Sequence, residues 1–302
     1  MLQRFIVMIR NRTDLARTKE IQMRSDLRET AKEHRIIVAH RGVTGGNIPC
    51  NTLPAYEIAL LEGAHMLETD VSTTGDGELV IFHPGMEKDQ LGAPHLDISR
   101  MPWSEVKELR YTNGDNVPTQ FGLLKLDEFL EAFKGRCYIN IDKFWGAPVE
   151  IYEAVKRHGM IDQVLVKSQL SENVIRVLEE VAPEIPFMPV VYEKVPPELA
   201  ALKSRRVNYV GVEVVFAHEN SELCSDRFLD ELRADGKLSW VNSLIYNTKN
   251  QLSGGHSDDT AFTVSMDYGW GWLADKDFDM IQTDWPGHLI GYLRSTGRYY
   301  RK

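Results

Sequence analysis

Short apolar runs alternate along this chain with stretches in which apolar positions recur every three or four residues. The runs at 36–40, 66–71, 137–142, 163–168, 186–192, 208–216, 238–245 and 278–284 predict eight strands. The intervening periodic stretches at 52–62, 121–133, 148–158, 171–182, 226–235 and 287–295 predict helices. Asp127-Glu128-Phe129-Leu130 and Glu150-Ile151-Tyr152 carry the i, i+3, i+4 spacing of a half-buried helix. Runs such as Gln163-Val164-Leu165-Val166 are apolar without alternation, as expected of a parallel sheet covered on both faces.

Eight strands alternating with helices predict a closed α/β barrel, a (β/α)8 TIM barrel, because parallel neighbours need right-handed crossovers. The 302 residues suit one such unit. Residues 1–34 are charged and precede the first strand. They are expected to form an N-terminal helical extension, with residues 35–302 as the barrel. Residues 73–120 are too long for a plain connection. A turn-like sequence, Thr74-Gly75-Asp76-Gly77, predicts a hairpin returning to His83. The remainder is expected to be a binding loop or lid.

Composition narrows the function classes. The formal net charge is −9 with no long Lys/Arg block, which argues against nucleic acid as a partner. It leaves room for a small anionic substrate, since a local cation can dominate a site. Cys50, Cys137 and Cys224 are odd in number and widely spaced, forming neither a zinc pattern nor a disulfide framework. Phe5-Ile6-Val7-Met8-Ile9 is short for a signal-peptide core, and no run approaches a membrane span of about 20 apolar residues. The expectation is a cytoplasmic protein acting on a small molecule. Composition does not address its oligomeric state.

Candidate chemistry sits where the predicted strands end, the face that carries the active site in such barrels. His40-Arg41-Gly42 closes the first strand and Glu68-Thr69-Asp70 the second; His83 follows Leu79-Val80-Ile81-Phe82. Glu68 and Asp70, two apart, share a face. Two close carboxylates repel unless a cation or proton intervenes, and oxygen ligands without cysteine favour Mg²⁺ or Ca²⁺ over zinc. Asp142 ends a third strand and can supply another oxygen, with Lys143 beside it. A solvated strand end and a surface ion pair are the alternative readings of these acids. His40 and His83 can form a general acid–base pair, and Arg41 suits two-point contact with phosphate. Together these groups suit the splitting of a phosphodiester.

Trp145, Trp270, Trp272 and Trp285 fall just beyond strand ends or in a late loop. Each either packs or offers a platform for a sugar or polyol; Trp145 and Trp285, which closely follow the strand-end acids Asp142 and Asp284, are the substrate-binding candidates. The polar loop Gly254-Gly255-His256-Ser257-Asp258-Asp259 either caps the site or is mobile.

In order and spacing, AHRG (39–42), NTLPAYEIALLEGA (51–64), LETDVSTTGDGELVIFH (67–83), YINIDK (138–143) and IQTDWP (281–286) resemble the glycerophosphodiester phosphodiesterase family. The resemblance spans nearly everything after residue 35. It implies a (β/α)8 barrel of the phospholipase C-like phosphodiesterase type and one divalent cation, Mg²⁺ or Ca²⁺, on Glu68, Asp70 and the third-strand acid. It also implies a His40/His83 acid–base pair, with Arg41 and Lys143 on the phosphate. A vicinal hydroxyl of the substrate then attacks phosphorus, and water opens the cyclic phosphate.

Three departures mark a divergent subgroup. Cys50 stands where the family usually has Glu, and Pro84 where it usually has Asp. Asp142 and Lys143 are adjacent where it often reads Glu-x-Lys. Adjacent strand residues face oppositely, so both can serve only if the strand ends or bends there. The leading expectation is hydrolysis of a glycerophosphodiester to an alcohol and glycerol phosphate. The alternatives are a sugar phosphodiester of the agrocinopine type and a non-catalytic barrel that binds phosphodiesters. A phospholipase D-like toxin activity on choline lipids is weaker still, lacking a secretion signal and cysteine pairs.

Overall fold

The computed structural model describes residues 26–247 and 249–301. Eight parallel strands close on themselves: β1 (Ile36–His40), β2 (Met66–Thr73), β5 (Tyr138–Asp142), β6 (Val164–Gln169), β7 (Phe187–Tyr192), β8 (Gly211–Val215), β9 (Leu238–Asn242) and β10 (Met280–Thr283). Closure is the pairing of β1 with both β10 and β2. The expected barrel is therefore present, and each of the eight expected strands overlaps an observed one, β2 and β6 running past the expected ends to Thr73 and Gln169.

Two further strands, β3 (Leu79–Ile81) and β4 (Leu124–Lys125), extend β2 by antiparallel pairing. The hairpin that returns to His83 is thus real. The helix expected from 121 begins only at Leu126, because Leu124 and Lys125 are drawn into β4. The rest of the 73–120 excursion has a core of its own, with Val80, Phe82, Leu91, Ile98, Val106, Tyr111 and Leu123 packed together. It is a packed insertion on the barrel rim, and Gly85, Glu87, Ile98 and Ser99 line the barrel mouth.

The period-two alternation of the strands sorts the apolar residues into two cores. Ile36, Val38, Met66, Tyr138, Leu165, Met188, Leu238, Trp240 and Met280 form the barrel interior. Leu27 and Ala31 of helix α1 (Leu27–Glu33) join them, so α1 packs against the same cluster. Residues 1–25 of the expected extension lie outside the described residues. Gly211 keeps the interior closed: a Cβ there would lie 2.3 Å from the Leu238 carbonyl oxygen and 2.7 Å from Met188 Cε. The outward strand faces pack against the helical shell. It includes α2 (Leu53–Leu61), α3 (Leu126–Phe133), α4 (Pro148–Arg157), α5 (Glu172–Val181), α6 (Asp226–Ala234), α7 (Asp258–Thr263) and α8 (Pro286–Ser295). Among the described residues, no helix is long and apolar enough to cross a membrane.

Candidate active site

Above the apolar interior layer, the inward positions turn polar. They surround a cavity of about 700 Å³ at the strand C-termini, lined by His40, Arg41, Glu68, His83, Asp142, Lys143 and Trp145 among others. The β2–β5 register sets Asp70 beside Asp142 and Glu68 beside Asn140. One carboxylate oxygen from each of Glu68, Asp70 and Asp142 lies within 4.8 Å of the others. Ligand oxygens sharing a hard cation at about 2.0–2.6 Å can be no farther apart than about twice that. The three sequence-predicted acids meet this limit. Asp70 is fully buried, and its Oδ1 has no hydrogen-bond partner. A buried carboxylate oxygen left without a donor costs free energy unless a cation or proton meets it, so this donor set fits a divalent cation.

The acids are held from below and from the side. Asn51, at φ 58°, donates from Nδ2 to Asp70 Oδ2 over 3.2 Å. The Tyr56 hydroxyl donates to Asn51 Oδ1 over 2.8 Å, on the opposite side from the acids. Arg41 and Gly42 both adopt positive φ, which turns the chain back over the mouth. Gly42 is required there, since a Cβ would lie 2.6 Å from the Ala55 backbone. This turn sets Arg41 Nε 2.8 Å from Asp70 Oδ2 and lets the Arg41 backbone N–H donate to Glu68 Oε2 over 3.1 Å. Burial and the neighbouring Asp70 charge push the Glu68 carboxyl up to about 7. Burial also acts on Asp142, but Lys143 and Lys167 outweigh it and hold that carboxyl below its ordinary range.

The adjacency of Asp142 and Lys143 is resolved by the backbone. β5 ends at Asp142, and Lys143 takes φ 62°. Its ammonium swings back to Asp142 Oδ2 at 2.6 Å and both residues line the cavity.

Each histidine shows the mouth one ring nitrogen. His40 Nδ1 lies 2.8 Å from Asp284 Oδ1, and His83 Nδ1 lies 2.9 Å from the Pro84 carbonyl oxygen. His83 Nε2 is 4.0 Å from Asp70 Oδ1. Burial opposes a charged His40, but the Asp284 hydrogen bond prevails and raises its pKa. Burial lowers that of His83; Arg41 and Lys143 add to this, against Asp70.

The tryptophans divide. Trp145 lines the cavity, with its indole N–H donating to the Lys167 carbonyl over 2.7 Å. Trp285 is 46% exposed against Phe262 and His288, and it is not among the lining residues. Trp270 is fully buried and donates to Asp258 Oδ1, and Trp272 stacks on His256 at 3.9 Å. The loop from Gly254 to Asp259 is neither a cap nor a loose segment. Asp258 is buried and accepts from Ser243, Trp270, Thr283 and the Asp284 backbone N–H. Two pairings escaped sequence reasoning: that of His40 with Asp284, a residue the sequence already places at the barrel mouth, and the buried ion pair of Lys167 with Glu213. Asp284 had a signal, its place at the end of the last strand.

Fold and site together define a (β/α)8 barrel with a three-carboxylate cluster at the C-terminal ends of its strands. A family model described only as a domain of unknown function matches residues 187–293. The probable glycerophosphodiester phosphodiesterase 2 of Mycobacterium tuberculosis (strain ATCC 25618 / H37Rv) is 36% identical over 139 residues, covering 44% of this chain and 48% of its own length. The chain thus spans about half the length of the first curated relatives it matches. A glycerophosphoryl diester phosphodiesterase from Parabacteroides distasonis superposes with a TM-score of 0.71 at 18% identity, over 88% of both chains. An Oleispira antarctica phosphodiesterase, solved with the product sn-glycerol-3-phosphate, gives 0.63 at 19% identity, over 86% of this chain and 97% of its own. These neighbours share the fold, and the curated relatives that the chain matches over part of its length are named as probable glycerophosphodiester phosphodiesterases, the family expected from the motifs.

Proposed function

We propose that the chain is a phosphoric diester hydrolase that splits a glycerophosphodiester into an alcohol and glycerol phosphate. The observation that carries this reading is the convergence of the Glu68, Asp70 and Asp142 oxygens within 4.8 Å, at a mouth that both His40 and His83 line. Glu68, Asp70 and Asp142 would hold one divalent cation, Mg²⁺ or Ca²⁺. When bound, it supplies positive charge to a phosphate oxygen. Arg41 and Lys143 meet the remaining phosphate charge, Arg41 through its planar fork and Lys143 as a point charge.

The two histidines take different parts because their Nδ1 partners differ. The Pro84 carbonyl can only accept, so His83 carries its proton on Nδ1 and leaves Nε2 free as the base. Its Nε2 takes the proton of a substrate hydroxyl next to the phosphoester as that oxygen attacks phosphorus. A carboxylate on His40 Nδ1 favours the imidazolium, so His40 Nε2–H gives its proton to the departing alcohol oxygen. Water then opens the cyclic phosphate with the two roles exchanged, which restores both histidines.

The test is release of the alcohol or of the phosphomonoester from glycerophosphocholine, glycerophosphoethanolamine, glycerophosphoinositol and a sugar phosphodiester, with Mg²⁺ or Ca²⁺ supplied. Turnover of at least one, abolished by chelation, is expected. Tight binding of a diester with no turnover under any condition would favour a non-catalytic barrel.

A further inference from the structure

We propose that Lys167 and Glu213 form a second recognition point in the barrel mouth, one that takes the hydroxyls of a neutral polyol, so that the alcohol released is a sugar or cyclitol ring rather than choline. The inference rests on the hydrolase reading above and names the half of the substrate which that reading leaves open.

Lys167 on β6 and Glu213 on β8 both line the cavity, yet each is only 7% exposed. Lysine and glutamate are rarely buried this far unless paired, and a buried pair costs more desolvation than a packed apolar pair of similar size. Here Lys167 Nζ lies 2.7 Å from Glu213 Oε2 and 3.8 Å from the centre of the Trp240 ring. Asn242 Nδ2 donates to Glu213 Oε1 over 2.7 Å. Trp240 in turn donates to Asn242 Oδ1 over 3.2 Å. The pair is therefore held rigidly from below, as a ligand-positioning group must be.

Its remaining hydrogen-bonding capacity matches hydroxyls. Each Glu213 carboxylate oxygen has a second lone pair, and the Lys167 ammonium has three protons to place. Neighbouring hydroxyls, each donor and acceptor at once, complement a carboxylate beside an ammonium. A trimethylammonium group can do neither. The position over the Trp240 face, where a ligand cation would sit, is already taken by Lys167. The pair is neutral as a unit. In the catalytic half, Arg41, Lys143 and a divalent cation balance the three carboxylates and the phosphodiester's single negative charge. Tyr192 and Tyr246, 49% and 68% exposed, stand on the rim of the same cavity. They offer aromatic faces to the apolar C–H side of a ring.

The experiment measures kcat/KM of the full chain, with Mg²⁺ or Ca²⁺ supplied, on glycerophosphoinositol and glycerophosphocholine. Wild type, Lys167→Met, Glu213→Gln and the double variant are compared. Wild type should prefer glycerophosphoinositol by at least about tenfold, and each variant should reduce that ratio by about tenfold or more, mainly through KM. That is the scale of one or two lost hydrogen bonds to a charged group. The ratio cancels any common effect of Lys167 on nearby Asp142. The double variant removes both charges at once and avoids stranding a buried one. If no variant folds, wild type alone decides: free myo-inositol should inhibit competitively at concentrations where choline does not. Preference for the choline diester, an unmoved ratio, or equal inhibition by both alcohols overturns the inference and leaves the hydrolase intact. If wild type cleaves neither diester, glycerophosphoethanolamine and the sugar phosphodiester decide: turnover of the sugar diester alone supports the inference, turnover of the ethanolamine diester alone overturns it, and turnover of none overturns the hydrolase reading instead.

Discussion

His40 Nδ1 sits 2.8 Å from Asp284 Oδ1, and Asp284 is itself fixed by a backbone N–H that donates to Asp258 Oδ2 over 2.9 Å. The two ends of the barrel sequence, β1 and β10, are thereby joined at the mouth by one imidazole–carboxylate contact. Asp284 is a positioning residue: it orients the ring and favours its charged form.

Replacing Asp284 by Asn should lower kcat on a glycerophosphodiester by roughly 10- to 100-fold, a part of the total that a general acid contributes. The Asp284 carboxylate raises the His40 pKa, so its loss should move the limb of the kcat/KM pH profile that reports His40 toward lower pH. A fall in rate with an unmoved profile would mean that Asp284 shapes the loop and does not act on His40.

His40→Ala and His83→Ala should each reduce turnover by about 10²–10⁴, with melting temperatures close to wild type. Arg41→Lys should also be costly, because lysine cannot reproduce a planar two-point contact and Arg41 Nε already faces Asp70. Steady-state kinetics together with thermal melts separate the two effects. Activity within tenfold of wild type in both histidine variants would remove the acid–base assignment.

The cation can be tested without turnover. A Mg²⁺ or Ca²⁺ ion held by the folded arrangement of Glu68, Asp70 and Asp142 should raise the melting temperature, by an amount that grows with the logarithm of its concentration above Kd. Asp70→Asn should abolish the shift, since Asp70 Oδ1 is the buried oxygen left without a donor. Equal melting curves with and without both ions would contradict the proposed metal centre.

Much of this molecule was legible in the chain because its signals are local. Apolar runs mark strands buried on both faces, and polar residues at their ends mark the mouth; His40, Glu68, Asp70 and Asp142 stand where those rules put them. What was not legible depends on pairing across sequence distance. Lys167 and Glu213 interrupt otherwise apolar strands, and only the barrel's closure shows that they face each other. Trp270 and Trp272 share the tryptophan signal with Trp145, but the segment bearing them folds away from the cavity. The polar composition of Gly254–Asp259 resembled a surface loop because its partners Ser243, Trp270, Thr283 and Asp284 lie elsewhere in sequence.

Asp258 gives a pH dependence whose sign can be worked out. Burial pushes its carboxyl up to about 6, against the hydrogen bonds from Ser243, Asp284, Trp270 and Thr283 that favour the charged form. The folded state therefore binds this proton more tightly than the unfolded chain does. Its contribution to stability is fully present below the unfolded carboxyl's pKa near 3.8 and is lost as pH rises through about 6. Asp258→Asn should remove that contribution and lower the slope of the stability profile between those values, leaving the part due to Glu68, as measured by urea unfolding across the range. Asp258→Ala should instead destabilise at every pH, by about 1–3 kcal/mol for each buried donor left without an acceptor. An Asn variant with the wild-type slope would show that the charge on Asp258 does not change within this window.

Trp145 and Trp285 make the last contrast, because the sequence treats them alike and the structure does not. Trp145 lines the cavity beside Lys143 and is anchored by its hydrogen bond to the Lys167 carbonyl. Trp145→Ala should raise KM for a ring-bearing alcohol by roughly tenfold, on the scale of about 1 kcal/mol for a lost aromatic contact. It should change kcat far less, since the indole touches none of the proton-transfer groups. Trp285 packs against Phe262 and His288 on the outer rim. Trp285→Ala should leave KM for the same substrate within about twofold and lower the melting temperature slightly, as expected for a half-exposed aromatic. The comparison needs both variants on one substrate under identical cation conditions. A larger KM effect from Trp285 than from Trp145 would mean that the bound alcohol extends over the rim, beyond the cavity seen here.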